Sequence, residues 1–428
     1  MSELHTSKAA PSRAWVLHID RKDARAARRL PEHGLAEAVA LAHALPQIEV
    51  VGAEVVRLGK PAPGMLFGSG KLAELKARLA AAEVDLVLVD GAVSPVQQRN
   101  LEKAWNVKLL DRTGLILEIF ADRARTREGV MQVELAALSY QRTRLVRAWT
   151  HLERQRGGFG FVGGPGETQI ETDRRAIDDQ IIRIKRQLEK VVKTRELHRA
   201  ARRRVPFPLI ALVGYTNAGK STLFNRLTGA EVMAKDMLFA TLDPTMRGLV
   251  LPSGQKVILS DTVGFISDLP HELVAAFRAT LEEVLEADLI LHVRDISHPE
   301  TEEQAADVGE ILETLGVDDD VALIEVWNKI DSLRPETRDA LLVQDARRGD
   351  VQAVSALTGD GLPALLAAIE AQIGAATSEE TLTLTHADGR RRAWLHNAGV
   401  VVEERQDEAG STFLLRWTAR QKADFAAL

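Results

Sequence analysis

Residues 209–222 read LIALVGYTNAGKST, and this stretch decides how the rest of the chain is organised. Five apolar residues form a strand, two glycines bracket a turn, and Leu223 and Leu227 then recur at helical spacing. The run Gly214, Tyr215, Thr216, Asn217, Ala218, Gly219, Lys220, Ser221, Thr222 fits the phosphate-loop pattern in the strand-loop-helix setting that pattern requires. Glycines let successive backbone N–H groups curl around phosphate oxygens, and Lys220 supplies a cation to the outer phosphates. Ser221 offers a hydroxyl to Mg2+. A nucleotide-binding α/β domain is therefore expected from about residue 205 to 376.

The choice of base is read further along. Asn328, Lys329, Ile330 and Asp331 end the strand-like run ALIEVW. There Asp331 can accept from N1 and N2 of guanine, an arrangement adenine cannot match, and a carboxylate left unpaired is costly. Ser355, Ala356 and Leu357 follow the strand VQAV and offer a backbone amide to the guanine carbonyl. Asp261, Thr262, Val263 and Gly264 end the strand KVILS, where a carboxylate would hold Mg2+ through water and a glycine amide would sense the γ-phosphate. Between these motifs lies Phe239, Ala240, Thr241, Leu242, Asp243, Pro244, Thr245, with two hydroxyls for the metal. Thr241 is preferred, because Thr245 abuts the next strand. The expected ligands are GTP and GDP, with Mg2+ on Ser221, Thr241 and Asp261 and catalysis carried by Lys220, Thr241 and Gly264. Phe265 stands where many GTPases place a water-orienting glutamine, so slow hydrolysis awaiting a partner is expected.

Length and composition set the frame. At 428 residues the chain needs several domains, and 45% hydrophobic with 27% charged residues is a globular balance. The longest apolar runs are strand-sized, far short of the ~20 residues that cross a bilayer, so no stable membrane insertion is expected. The start, MSELHTSKAAPSR, lacks the apolar stretch of a signal peptide, and the absence of cysteine excludes disulfides and thiolate metal sites. A cytoplasmic location follows as the expectation. The formal net charge is −6, yet residues 122–204 hold 20 Arg and Lys against 11 Asp and Glu. A basic segment on an acidic chain points to a polyanion met by one part of the molecule only.

That basic segment has its own pattern. Met131, Leu135, Leu138, Leu145, Trp149 and Leu152 mark one helical seam, and Ile170, Ile177, Ile181, Ile184, Leu188 and Val191 mark a second. Between them, six glycines and Pro165 in residues 157–167 forbid a continuous helix. Two long antiparallel helices with a glycine-rich tip are expected over residues 122–204. Arg154, Arg156, Gly157, Gly158, Gly160, Arg174 and Arg175 are the candidate RNA contacts at or near that tip. Before it, residues 1–121 alternate strands and helices as an α/β subdomain with a parallel sheet. GSGK at residues 68–71 lacks the earlier glycine of a phosphate loop and reads as a helix start. Residues 377–428 read as a small α+β domain.

DRTGLILEIFADRARTREGVMQVELAAL from Asp111, GPGETQIETDRR after the glycine tip, GYTNAGKST, FATLDPT, DTVGFI and NKID together resemble the HflX-type GTPases over nearly the whole chain. The stretch GPGETQ behind a glycine run and ahead of a nucleotide-binding domain is particular to that family. The resemblance implies an N-terminal α/β subdomain with a long helical hairpin, a doubly wound GTPase domain and a small C-terminal domain. It further implies binding to the large ribosomal subunit through its rRNA and GTP-dependent dissociation of stalled or idle ribosomes, with a monomer off the ribosome. Asn217 occupies the position where related potassium-activated GTPases ligate K+, which makes K+ a second candidate cation. The tip departs from the family pattern at Phe161, Val162, Gly163 and Gly164. A role in large-subunit assembly or tRNA modification is the alternative, and a regulator of membrane proteolysis finds no amphipathic membrane segment to support it.

Overall fold

A computed structural model describes residues 11–21, 30–59, 61–155, 165–202, 207–230, 238–239, 241–242, 245–267, 281, 283–318, 321–345, 348, 350–375, 377–406 and 410–426. The chain divides into two compact units. Met1–Gln187, Lys235–Leu242 and Ser267–Phe277 make the first, and Leu188–Ala234, Asp243–Ile266 and Arg278–Leu428 the second. The expected α/β class holds in both.

In the first unit, β1 (Ser12–Arg21), β2 (Ile48–Leu58), β3 (Leu86–Asp90) and β4 (Lys108–Asp111) form a parallel sheet in the order β2-β1-β3-β4. Helices α1 (Pro31–His43), α2 (Ser69–Ala81) and α3 (Pro95–Trp105) connect them. The helix start read at GSGK is α2. One core gathers Leu17, Val56, Phe67, Leu75, Val87, Leu101 and Trp105, and packing of this kind stabilises by roughly 2 kcal/mol per buried large side chain. α4 (Arg112–Arg123) follows β4 directly, capped by the Asp111 carboxylate, which accepts from Gly114 N at 2.9 Å.

α5 (Arg127–Gln155) and α6 (Pro165–Arg202) are the two long helices. Arg142 of α5 pairs with Asp178 of α6 at 2.7 Å. Along α6 the second seam behaves as expected, with Ile181 and Ile184 buried between exposed neighbours. α5 does not follow its seam alone. Gln132, Val133 and Ala136 are buried beside Met131 and Leu138, because α3 and α4 pack against its first turns. Buried Asp111 also accepts from Tyr140 Oη at 2.6 Å and from Arg144 at 2.8 Å, so one carboxylate ties α4 to α5. Burial first, then the neighbouring Asp111 charge, holds the Tyr140 phenol protonated, above its usual range.

In the second unit, β5 (Leu209–Val213), β6 (Thr245–Val250), β7 (Lys256–Asp261), β8 (Leu289–Asp295), β9 (Ala322–Asn328) and β10 (Val351–Ala353) form a sheet in the order β10-β9-β8-β5-β7-β6. Only β6, at the edge, runs antiparallel, against β7. α7 (Lys220–Thr228), α8 (Thr301–Leu315), α9 (Pro335–Asp345) and α10 (Leu362–Ala375) accompany it. The central strands are apolar on both faces, as a sheet covered on two sides demands. A three-stranded antiparallel sheet, β11 (Thr377–Leu384), β12 (Val401–Gln406) and β13 (Ser411–Thr418), follows with α11 (Gly389–Asn397) and α12 (Ala419–Ala426) around Phe413, Leu415 and Trp417.

His292 of β8 is buried in the second unit's sheet. Burial first, then the charges of Arg294 and Lys220, push its imidazole down to about 4, with Glu325 opposing. The unfolded chain takes up this proton near 6.5 while the folded one does not, so stability is full above that value and falls as pH drops toward 4. Between pH 7 and pH 5 the wild type should lose about 2 kcal/mol more than His292→Gln. Urea unfolding at the two pH values checks this, and parallel losses would remove the assignment.

Candidate functional site

The phosphate-loop sequence leaves β5 at Gly214, whose φ of +152° is open to glycine. A Cβ there would stand 2.1 Å from Val293 O of β8, so the loop begins with its backbone pressed on the neighbouring strand. Its return is held by main chain. Phe265 N donates to Gly214 O at 3.1 Å, and Thr216 N donates to Phe265 O at 2.7 Å. Thr262 Oγ1 adds a bond to Leu212 O at 2.6 Å. The loop and the end of β7 are thereby clasped together. The Phe265 ring is buried at 1% exposure, so this side chain packs into the domain and offers nothing to a water molecule.

Lys220 opens α7 and is buried, folding back to donate to Gly214 O at 3.0 Å and Tyr215 O at 2.8 Å. Burial lowers its pKa to about 8, against the opposing charge of Asp261. An ammonium so poorly solvated gains strongly from a phosphate beside it. Ser221 Oγ donates to Asp261 Oδ2 at 2.7 Å, which brings two of the expected metal residues together. Both are hard oxygen donors, and a pair of them suits Mg2+, which keeps several waters and takes its remaining ligands from phosphates. Thr216 Oγ1 is buried with no hydrogen-bond partner among the described residues. Asn217 sits exposed in the left-handed region at φ +60°.

Gly264 lies directly against this loop. A Cβ there would meet Thr216 Cγ2 at 2.8 Å, Thr216 Cα at 2.9 Å and Lys220 Nζ at 3.0 Å. Thr241 and Leu242 are buried, as is Phe239 with a left-handed φ of +57°. Thr245 is fixed in β6 opposite Asp261, which leaves it committed to the sheet. Ala240 and Asp243 lie outside the described residues.

The base-reading motifs converge on Asn328, which sequence reasoning took as a mere companion of Asp331. Its Nδ2 donates to Ala218 O at 2.8 Å and its Oδ1 accepts from Ala356 N at 2.9 Å. One buried amide thus ties the phosphate loop to the segment after β10. Asp331 is exposed, and its Oδ1 accepts from Ser355 Oγ at 2.5 Å, which holds the carboxylate in place. Lys329, at φ +65°, pairs with Asp295 at the end of β8 at 2.8 Å. Ile330 is buried, and Leu357 is exposed. Arg226 of α7 donates to Thr358 O at 3.0 Å, a further brace on the loop that holds Ser355. No local motif marks Arg226, since its partner is 132 positions away.

Of the candidate RNA contacts, Arg174 and Arg175 stand exposed on α6, within reach of Asp178 at 3.9 Å and Glu171 at 2.7 Å. Exposed pairs of this kind are worth little and can be exchanged for phosphate. Arg154 lies in α5, and Arg156, Gly157, Gly158 and Gly160 lie outside the described residues. Among the described residues no helix is long and apolar enough to cross a membrane.

Sheet, phosphate loop and guanine-type motifs together define a phosphate-loop GTPase. Four family descriptions match in succession: GTP-binding GTPase N-terminal over residues 32–121, GTP-binding GTPase Middle Region over 123–202, 50S ribosome-binding GTPase over 209–329 and HflX C-terminal domain over 340–426. The GTPase HflX of Magnetococcus marinus is 53% identical over 86% of this chain and 84% of its own length. The GTPase HflX of Escherichia coli is 46% identical over 83% and 82%. A solved GTP-binding protein from Sulfolobus solfataricus in complex with GDP, 24% identical, covers 84% of this chain and 98% of its own with a TM-score of 0.45. The chain belongs to the HflX family of GTPases.

Asn328→Ala removes both halves of the buried bridge and strands Ala218 O and Ala356 N. Two such orphaned groups cost about 2 to 4 kcal/mol. Nucleotide affinity should fall at least tenfold in equilibrium titration, and wild-type affinity in this variant would show that the bridge is dispensable.

Proposed function

We propose that this GTPase is a nucleotide-gated switch that binds the large ribosomal subunit and separates stalled or idle ribosomes. The observation that carries the reading is the pairing of two long antiparallel helices, rich in Arg and Lys, with a guanine-nucleotide site in one chain. Such an arm, with a glycine-rich tip of little side-chain bulk, approaches RNA closely, and its charge binds phosphates. Gly157, Gly158 and Gly160 would make the close approach, with Arg154, Arg156, Arg174 and Arg175 supplying the charge.

Roles in the nucleotide site follow from chemistry and placement. Residues 214–222 wrap the phosphates, and Lys220 neutralises charge on the outer ones. Ser221, Thr241 and Asp261 are the residues that would hold Mg2+. Mg2+, when bound, neutralises negative charge on the phosphate oxygens. Gly264 would present its amide to the γ-phosphate, and Phe239, Ala240, Thr241, Leu242 and Asp243 are the remaining candidates for nucleotide binding. Asp331 reads guanine N1 and N2 while Asn328, Lys329 and Ile330 frame the base beside Ser355, Ala356 and Leu357. Asn217, exposed and in a left-handed conformation, would ligate K+. A cation there would stabilise transition-state charge in the manner of an arginine finger. The protein works in the cytoplasm, as a monomer when off the ribosome.

Light scattering of intact ribosomes on addition of the protein and GTP tests the reading, in KCl and in NaCl at equal ionic strength. Dissociation is expected, faster in KCl. Deleting residues 157–164 should abolish it while basal GTP hydrolysis stays within about twofold, since the deletion removes none of the proposed nucleotide-site residues. Normal dissociation by the deletion variant would make the hairpin a scaffold. Binding to immature large subunits alone would favour a role in assembly.

A further inference from the structure

Arg226 lies in the last turn of α7, the helix that Lys220 and Ser221 open, and its guanidinium reaches across to the loop after β10. Nη2 donates there to Thr358 O at 3.0 Å. A Cβ on Gly359 would stand 2.9 Å from the same nitrogen, so any side chain at that position would push the guanidinium aside. Gly359 also has a φ of +97°, a conformation that favours glycine on its own account.

The loop closes on itself. Ser355 N donates to Asp360 O at 2.9 Å, Gly359 N to Ser355 O at 2.8 Å and Thr358 N to Ser355 Oγ at 3.0 Å. Its far end is pressed onto β10, since a Cβ on Gly361 would stand 2.1 Å from Ala353 O. Asp360 pairs with Arg338 of α9 at 3.0 Å, a half-exposed contact of the kind worth little. Among the described residues, Arg226 is the one group outside residues 355–362 that bonds Leu357, Thr358 or Gly359. Thr358 turns that contact into a relay. Its carbonyl is held by Arg226, and its N–H occupies a lone pair of the Ser355 hydroxyl, whose single proton goes to Asp331 Oδ1. Ser355 is fully buried, so no bulk water competes for that hydroxyl. With the Thr358 peptide fixed, the proton has one direction in which to point.

We propose that Arg226 is a positioning residue for guanine: through Thr358 and Ser355 it orients the Asp331 carboxylate, and it keeps this loop from opening for nucleotide release. The inference deepens the guanine-site reading above and rests on it. One helix then serves both ends of the nucleotide, the phosphates from its first turn and the base from its last. The bond is a single one at the surface, so its loss is worth about three- to tenfold.

Stopped-flow release of a fluorescent GDP, with equilibrium competition by GDP and by inosine diphosphate, tests this on the full chain. Inosine lacks the N2 amine, so its deficit against GDP measures how well Asp331 is aimed. Arg226→Met keeps the stem and removes the donors. It should speed GDP release about three- to tenfold and cut the preference for GDP over inosine diphosphate about threefold. Arg226→Lys keeps a donor and should recover part of both. Gly359→Ala, which crowds the guanidinium, should act in the same direction, and joined to Arg226→Met it should add less than the sum, because both cut one contact. Wild-type release and preference in Arg226→Met would overturn the inference, and so would equal weakening of both nucleotides, the mark of a merely structural role. In either case a wild type that still prefers GDP over inosine diphosphate leaves the guanine reading intact. A wild type that binds the two equally would overturn both.

Discussion

Two main-chain hydrogen bonds between the phosphate loop and Phe265 fix the geometry on which the rest of the nucleotide site depends. They set the loop against the end of β7 without using a side chain, so identity at position 265 is free to be decided by packing. Phenylalanine fills that role, deep in the domain. The loop's other boundary is set by close approach, since Gly214 leaves no room for a side chain beside Val293 O. Between the two constraints the lysine and serine of α7 have one place to go. Lys220 turns inward onto carbonyl groups, and Ser221 meets Asp261.

The first unit uses charge in its interior. Burial alone would raise the Asp90 carboxyl, yet the Arg112 charge and the bonds from His18 and Arg112 outweigh it and hold the group below its ordinary value. Buried ions of this kind are costly to desolvate and seldom win on stability alone. They do specify geometry, because breaking any one partner leaves an uncompensated charge. Asp111, next along the chain, performs the same service between α4 and α5. Through Asp111 and through Arg112, which also bonds Ser267, consecutive residues of one motif thus anchor the long hairpin and the chain beyond Gly264.

Much of the nucleotide site was legible because phosphate and base are recognised by short contiguous stretches, in which spacing is the chemistry. Lys220, Ser221, Asp261 and Asp331 stand where strand-loop-helix reasoning puts them. The bridge through Asn328 was not legible, since its partners Ala218 and Ala356 lie far away in sequence and contribute only backbone atoms. β2 and α3 went unread for a different reason: the run IEVVGAEVVRL is half-buried and mixed in polarity, and helix α3 carries polar Gln97 inward. The broad burial at the start of α5 also exceeds what a heptad shows, because α3 and α4 supply a second packing partner. The hydrogen-bonded cluster of His18, Asp90, Arg112, Glu37 and Ser267 combines five segments and has no sequence signature at all.

Every functional step proposed for this chain presumes that the pocket reads guanine, and the residue proposed to carry that choice is Asp331, whose carboxylate accepts from Ser355. Equilibrium competition of GDP, ADP and XDP against a fluorescent GDP, on the wild type and on Asp331→Asn, measures it directly. The wild type should prefer GDP over ADP by 1,000-fold or about 4 kcal/mol, the scale expected when a buried polar contact is left unmet. Asp331→Asn should lose GDP and gain XDP, because its amide donor faces the carbonyl that xanthine carries in place of the guanine amine. Equal affinity of the wild type for GDP and ADP would contradict the account.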